Sequence, residues 1–600
     1  MLFGKHVNKF YKKYFWYFFW GILFLLFVDI IQIFIPIIIG NIVDAITNGI
    51  SSTIDYSKPF INTSNYKFLI EEAIWIAMIG FGMFIGRLSW RICILGEAVR
   101  IQADLRSDMF QKTEILSQRY YKSNKTGAIL SYFSNDLETI EEAFGFGIVQ
   151  LVDGIVLLII SLINMFIIDW RLSLLLCIPL ILLGISAFFL DQIMEKKFEK
   201  RQKAFEDMSD FAQENFTGIR VIKAFVKEKK ELKQFAKQAK KNKDANIEFA
   251  KTSALLDVLF DGIIYLLFGI ILFGGSYLVY LNIKDSSQGI SVGQMVTFVG
   301  LADTIIWPVF ALAMIINLIA RARTSLKRIS SLLDEEVEIV DDKIITPEDI
   351  KGEIEFKNFS FSFPDSPNKN VLSNISLKIK AGETIGVVGK IGCGKSTLVN
   401  MLFRLYNVQE DSLFIDGYDI MHLPIKMVRE NIGYCPQDNF LFSDSIRNNI
   451  AFSNVKLSDE KVREAAEFSA VRENIEGFKD KYETLIGEKG VTLSGGQKQR
   501  ISISRAIVKD PKILVLDDSV SAVDVKTEET IISNIKKIRK NKTTILIASR
   551  VSTVMSLDKI VVMKDGKIEF FGTHEECVKN SKTYARMVEL QTLEKELEGK

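Results

Sequence analysis

The run Thr384-Ile-Gly-Val-Val-Gly-Lys-Ile-Gly-Cys-Gly-Lys-Ser-Thr397 decides how this 600-residue chain is read. Thr384 to Val388 is a short apolar strand. It leads into G-x-x-x-x-G-K-[ST], and a helix is expected from Leu398 onward. That strand–loop–helix order is the setting in which the motif cradles phosphate. Gly389, Gly392 and Gly394 let backbone N–H groups curl around an anion, and the helix start adds positive potential. Here Lys395 is placed to meet the β- and γ-phosphates, Ser396 to ligate Mg²⁺ and Thr397 to touch phosphate. Cys393 reads either as a small residue in a tight turn or as a thiol whose alkylation would block nucleotide. Farther on, the apolar strand Ile513 to Leu516 ends in Asp517, a carboxylate at a strand end held near Mg²⁺.

Working outward, the alternating stretch Gly352-Glu-Ile-Glu-Phe-Lys-Asn-Phe-Ser-Phe-Ser-Phe363 predicts the opening strand of this domain. Leu332 to Ile350 before it is acidic and turn-prone, a surface linker. Six hundred residues exceed one core, so at least two domains are expected. The predicted plan is a membrane domain over 1–330, a linker over 331–351 and an α/β P-loop nucleotide-binding domain over 352–600.

Nearly all long apolar runs precede residue 325. Six of them approach the roughly 20 residues that a bilayer crossing needs. They lie near 15–42, 70–95, 143–168, 171–191, 256–282 and 292–320. Only Asp169-Trp170-Arg171 separates the third from the fourth. Sixteen Lys and Arg follow the fourth run over 192–254, and six occupy 100–125. This bias predicts that the N-terminus, both long segments and the C-terminus face the cytoplasm. The Ser-, Thr-, Asn- and Tyr-rich loop near 46–69 then faces outside. Phe198, Phe205, Met208 and Phe211-Ala212 recur at helical spacing amid charge, so helices are expected to continue below the membrane and turn back. The first run is longer than the roughly 7–15 residues of a signal core, so no cleavable signal is expected.

Asp29, Arg87, Arg91, Asp153, Asp257, Asp261 and Asp303 fall within the spans. Charges there face partners or a wet cavity. They read as internal Asp–Arg pairs, as groups at an interfacial depth, or as acidic groups favouring cationic substrates, with Asp303 and Trp307 the best pair. Pro308 is expected to kink the sixth helix. The five cysteines show neither metal spacing nor a paired framework. A net charge of +2 gives no reason to expect a nucleic-acid partner.

Between the two phosphate motifs lies Leu493-Ser-Gly-Gly-Gln497, followed by Lys-Gln-Arg500 and a helix. With it the chain resembles an ATP-binding cassette exporter, a half-transporter with its membrane domain fused before its nucleotide domain. The likeness spans nearly the whole chain and is nearest to the heterodimeric bacterial multidrug exporters. It implies that ATP and Mg²⁺ are bound and that two such chains sandwich each ATP. In each sandwich the phosphate loop of one chain faces the signature of the other, here Ser494, Gly495, Gly496 and Gln497. By the same resemblance Phe363 stacks on adenine and Gln437 senses Mg²⁺ and meets the membrane domain. Glu488 matches the X-loop, and Ser521 and Asp524 the interface-crossing D-loop. Tyr121 to Ser131 and Glu214 to Arg220 resemble the two coupling helices. Amphiphilic drugs or lipids are the implied substrates.

Two positions depart from the family pattern. Asp518 stands where a glutamate would activate the attacking water, and Ser549 where a histidine would contact the γ-phosphate. Asp is one methylene shorter, and acid–base contributions of ~10²–10⁴-fold depend on reach. None of His6, His422 and His574 lies near position 549. The expectation is a weak or inactive own ATP site, paired with a homologous chain that carries the glutamate and histidine. A homodimer using Asp518 as a weak base, or a non-hydrolytic ATP-binding regulator, are the alternatives.

Overall fold

The computed structural model describes residues 4–50, 63–285, 288–487, 493–520 and 523–598. The chain divides into two compact units, one of Met1–Thr113 with Gly127–Asp334, the other of Glu114–Thr126 with Glu335–Lys600.

Among the described residues, helix is the only regular secondary structure of the first unit. Among the described residues, five helical stretches are long and apolar enough to cross a membrane: Phe15–Thr47, Leu69–Ile115, Thr126–Ile168, Glu228–Lys284 and Val292–Asp334. The run expected near 171–191 appears as a shorter apolar stretch, Trp170–Ser186, opening the 48-residue helix Trp170–Thr217. Asp169 caps that helix, accepting from the Arg171 and Leu172 N–H groups at 2.9 and 3.0 Å. These are donors that a helix start otherwise leaves unpaired. Pro179 and Pro308 both lie inside continuous helices. Most of the loop expected outside, 51–62, lies outside the described residues.

The helices Trp170–Thr217 and Glu228–Lys284 run far beyond the length of a bilayer crossing, with 48 and 57 residues. They pack along each other through part of the expected apolar stripe. Phe198 meets Phe249 and Phe211 meets Phe235, with ring centroids 6.3 and 6.5 Å apart. Lys200 pairs with Glu248 at 2.6 Å on the same seam. Phe205 stays exposed. Elsewhere in this unit, buried Asp136 accepts from Ser325 Oγ at 2.7 Å and Arg328 Nε at 2.9 Å, tying the Tyr132–Asp136 turn to the last helix.

Among the charges in the expected spans, Asp29 is buried, and Asp153 and Arg87 lie within electrostatic reach of it. Arg87 donates to Gln32 Oε1 at 3.1 Å. Asp303 and Trp307 are both exposed, one helical turn apart.

The second unit carries two sheets. An antiparallel sheet has the order β2 (Asn370–Ile379), β1 (Ile354–Ser362), β4 (Leu413–Ile415) and β5 (Tyr418–Asp419). The expected alternation in β1 shifts register between Phe356 and Phe359, around Asn358 with φ +45°. The larger sheet has the order β10 (Lys567–Gly572), β9 (Lys559–Lys564), β3 (Thr384–Gly389), β8 (Thr543–Ile547), β7 (Ile513–Asp517) and β6 (Ile432–Cys435). All pairs from β9 to β6 are parallel. Every residue of β3, β7 and β8 is buried, which explains the apolar runs 385–388, 513–516 and 545–547 within them. Parallel pairing puts the carboxyl ends of β3, β8, β7 and β6 along one edge, where α/β sheets bind ligands.

Candidate nucleotide site

Four loops leave that edge, and each carries residues singled out from the sequence. β3 ends at Gly389, where a Cβ would lie 2.3 Å from the Met563 carbonyl oxygen, so only glycine fits. The loop turns through Gly392 at φ +83° and Gly394 at φ +99°, left-handed conformations that suit glycine. The helix begins at Lys395, earlier than expected, and runs to Asn400 before a tighter turn, Met401–Phe403. Lys395 Nζ donates to the carbonyl oxygens of Gly389 and Lys390 at 2.8 and 3.1 Å, which folds its ammonium back over the loop. Thr397 is half-buried on the same helix.

Ser396 Oγ donates to Asp517 Oδ1 at 2.9 Å, joining the phosphate loop to the end of β7 across 121 residues. Asp517 is almost wholly buried. Burial pushes its carboxyl above the ordinary value, against the Ser396 hydrogen bond and the charge of Lys395. A hydroxyl and a buried carboxylate lacking full counter-charge form a hard-oxygen donor pair that fits Mg²⁺. Gln437 is exposed just past β6, which pairs with β7 up to Cys435 and Leu516.

Cys393 is buried, and its desolvation raises the thiol pKa while Lys395 opposes the rise. The tight-turn reading accounts for this placement. Near neutral pH, iodoacetamide should label Cys393 at least ~10-fold more slowly in the folded chain than in the denatured one, since the thiolate is the reactive form. Peptide mass spectrometry reads that ratio. Equal rates would contradict it.

The two departures from the family pattern meet. Ser549, just past β8, donates its hydroxyl to Asp518 Oδ1 at 3.3 Å. Asp518 follows β7 at φ +45°, a conformation that a short polar residue tolerates. Its N–H donates to the Ile547 carbonyl oxygen at 3.0 Å, and buried Gln499 donates to its carbonyl oxygen at 3.1 Å. The Asp518 carboxyl thus faces the adjacent strand end.

Ser494 and Gln497 cap the helix Gly495–Ile507 reciprocally. The Gln497 N–H donates to Ser494 Oγ at 3.3 Å and the Ser494 N–H to Gln497 Oε1 at 3.0 Å. Gly495 is exposed and Gly496 half-buried in the first turn. Asp524 caps the helix Val525–Ile538, accepting from Thr527 N–H at 3.0 Å and Oγ1 at 2.8 Å, which lowers its pKa. Glu488 and Ser521 lie outside the described residues.

Phe363, just past β1, is half-buried with Phe361 and Tyr406 edge-on to it, centroids 5.3 and 5.5 Å away. Sequence reasoning missed Gln499, Tyr406 and Lys122 around these groups. Gln499 lies in the quoted run after the signature. Lys122 lies in the stretch that resembles the first coupling helix, and Tyr406 carries no local signal.

The chain matches the ABC transporter transmembrane region over residues 18–309 and the ABC transporter family over 372–521. It is 34% identical over 593 residues to a probable multidrug resistance ABC transporter ATP-binding/permease protein, YheI, of Bacillus subtilis, covering 98% of this chain and 97% of that one. An ATP-dependent lipid A-core flippase of Syntrophus aciditrophicus is 32% identical over 549 residues, covering 88% and 90%. A solved bacterial Atm1-family ABC exporter with ATP bound superposes with a TM-score of 0.75 at 25% identity, covering 95% and 97%. With this fold and these relatives, the chain belongs to the ABC transporter family, as part of an ATP-hydrolysing exporter whose helical transmembrane region is fused to a C-terminal ABC nucleotide-binding domain.

Proposed function

We propose that this chain is the degenerate-site half of a heterodimeric exporter in the cell membrane. Its substrates are amphiphilic drugs or lipids, a class supported by its similarity to a probable multidrug resistance transporter and to a lipid A-core flippase. The Lys and Arg bias supports a cytoplasmic nucleotide domain.

One observation carries the proposal: the 3.3 Å hydrogen bond from Ser549 to Asp518. A water-activating carboxylate must project toward the γ-phosphate. Asp518 is a methylene short, and Ser549 bonds it across to the next strand end. Neither Ser549 nor any nearby histidine supplies positive charge at the γ-phosphate. The phosphate loop keeps its binding groups, so this chain holds ATP at a site poor in hydrolysis.

Lys395 holds the β- and γ-phosphates, the loop N–H groups close around them and Phe363 takes the adenine. Ser396 and Asp517 would hold Mg²⁺ beside Gln437, and the ion supplies positive charge toward the phosphate oxygens. Ser494, Gly495, Gly496 and Gln497 serve the partner's ATP, with Asp524 at the shared interface. Closure around ATP turns the membrane cavity outward, and hydrolysis at the partner's phosphate loop resets it. Phe216, Val221, Phe225 and Val226, at and after the second coupling-helix stretch, are exposed apolar groups that suit a partner subunit.

Native mass spectrometry of the complex captured through a tag on this chain tests the pairing. One copy of this chain with one different ABC half-transporter is expected. Two copies of this chain alone would refute the proposal.

A further inference from the structure

Helix Gln118–Ser123 belongs to the second compact unit, and it brings Lys122 onto Phe363. Lys122 Nζ lies 3.8 Å from the Phe363 ring centroid and 5.4 Å from that of Tyr406. An ammonium approaching in the ring plane would be held farther out by the edge hydrogens, so this one sits over the face. That is a cation–π contact. The segment is anchored nearby: Ser117 Oγ donates to Glu338 Oε2 at 2.8 Å, and Arg119 pairs with the same carboxylate. A cavity of about 250 Å³ opens beside them, lined by Lys122, Asp365 and Tyr406 among others.

We propose that Lys122 and the nucleotide base compete for the open face of Phe363, so that Lys122 sets the affinity of this site for adenine nucleotides. The inference rests on Phe363 being the adenine platform. A base stacks flat on an aromatic ring, and an ammonium at 3.8 Å occupies that same space. Lys122 is otherwise exposed, so it can swing into solvent when the base arrives. Base binding then breaks a contact of the 114–126 segment, whose two ends continue into the helices of the first unit. Nucleotide occupancy is thereby felt by that segment even at a site that does not hydrolyse.

The sign of the effect separates this from simple electrostatics. Removing a lysine near a triphosphate weakens binding if charge attraction is its role. Removing a competitor strengthens it. An exposed cation–π contact corresponds to about a two- to five-fold change in affinity.

The test is equilibrium binding of ATP and of inorganic tripolyphosphate to the full-length chain, without Mg²⁺ so that hydrolysis does not run. Lys122→Ala should tighten ATP binding about two- to five-fold and leave tripolyphosphate binding unchanged or weaker. In a Phe363→Leu background the tightening should vanish. Unchanged or weaker ATP binding in Lys122→Ala, with Phe363→Leu still weakening ATP, would overturn the competition and spare the platform. ATP binding indifferent to Phe363→Leu would instead overturn the platform, and the competition with it.

Discussion

Replacing Gly496 with Asp should abolish ATP hydrolysis by the assembled exporter, a loss of ~10²-fold or more. Gly496 lies in the first turn of Gly495–Ile507, whose start is held by the Ser494–Gln497 capping box. The first-turn N–H groups of a helix are anion donors. On the proposed reading they serve the partner's ATP, which is the one hydrolysed. An Asp there sets a carboxylate against the triphosphate where the transition state needs donors. Lys395→Met in the same chain should lower turnover far less, because it weakens binding at a site that contributes little hydrolysis. Steady-state phosphate release from the two variant complexes measures the contrast. Equal losses would contradict the division of labour.

The second large effect runs in the opposite direction. In a complex whose partner has lost its own water-activating carboxylate, residual turnover comes from this chain's site. Asp518→Glu with Ser549→His should raise that residue of activity by ~10²-fold, the low end of what a positioned acid–base group contributes. The pair should exceed the sum of the single changes. Asp518→Glu alone gains reach but keeps Ser549 at the γ-phosphate position. Ser549→His alone removes the hydroxyl bonded to Asp518 and leaves a short carboxylate. Groups acting as a unit are strongly non-additive. A double variant no faster than its parent would mean the two positions do not limit this site.

The nucleotide half is legible in the sequence because its chemistry is local. Gly389 to Thr397 carries its own turn residues, and buried parallel strands need unbroken apolar runs such as Ile513 to Leu516. The Ser494–Gln497 box was equally open to reading, since Ser-x-x-Gln before a helix is a capping pattern. What the sequence hides is contact between distant loops. Ser549 and Asp518 are 31 residues apart and meet only because β8 and β7 are neighbours in the sheet. Lys122 and Phe363 are 241 positions apart in the numbering and share no pattern that would pair them. In the membrane half, apolar length predicts the helices but not which charges approach each other. Asp303 and Trp307 attract attention by spacing, while among the acidic residues singled out within the spans the buried one is Asp29.

The central claim is that this chain binds ATP but leaves hydrolysis to a site completed by another chain. ATPase activity of the chain purified alone in detergent, beside that of the complex with its partner, tests it most directly. The account predicts activity near background for the chain alone and full activity for the complex. Vigorous hydrolysis by the chain alone would contradict it.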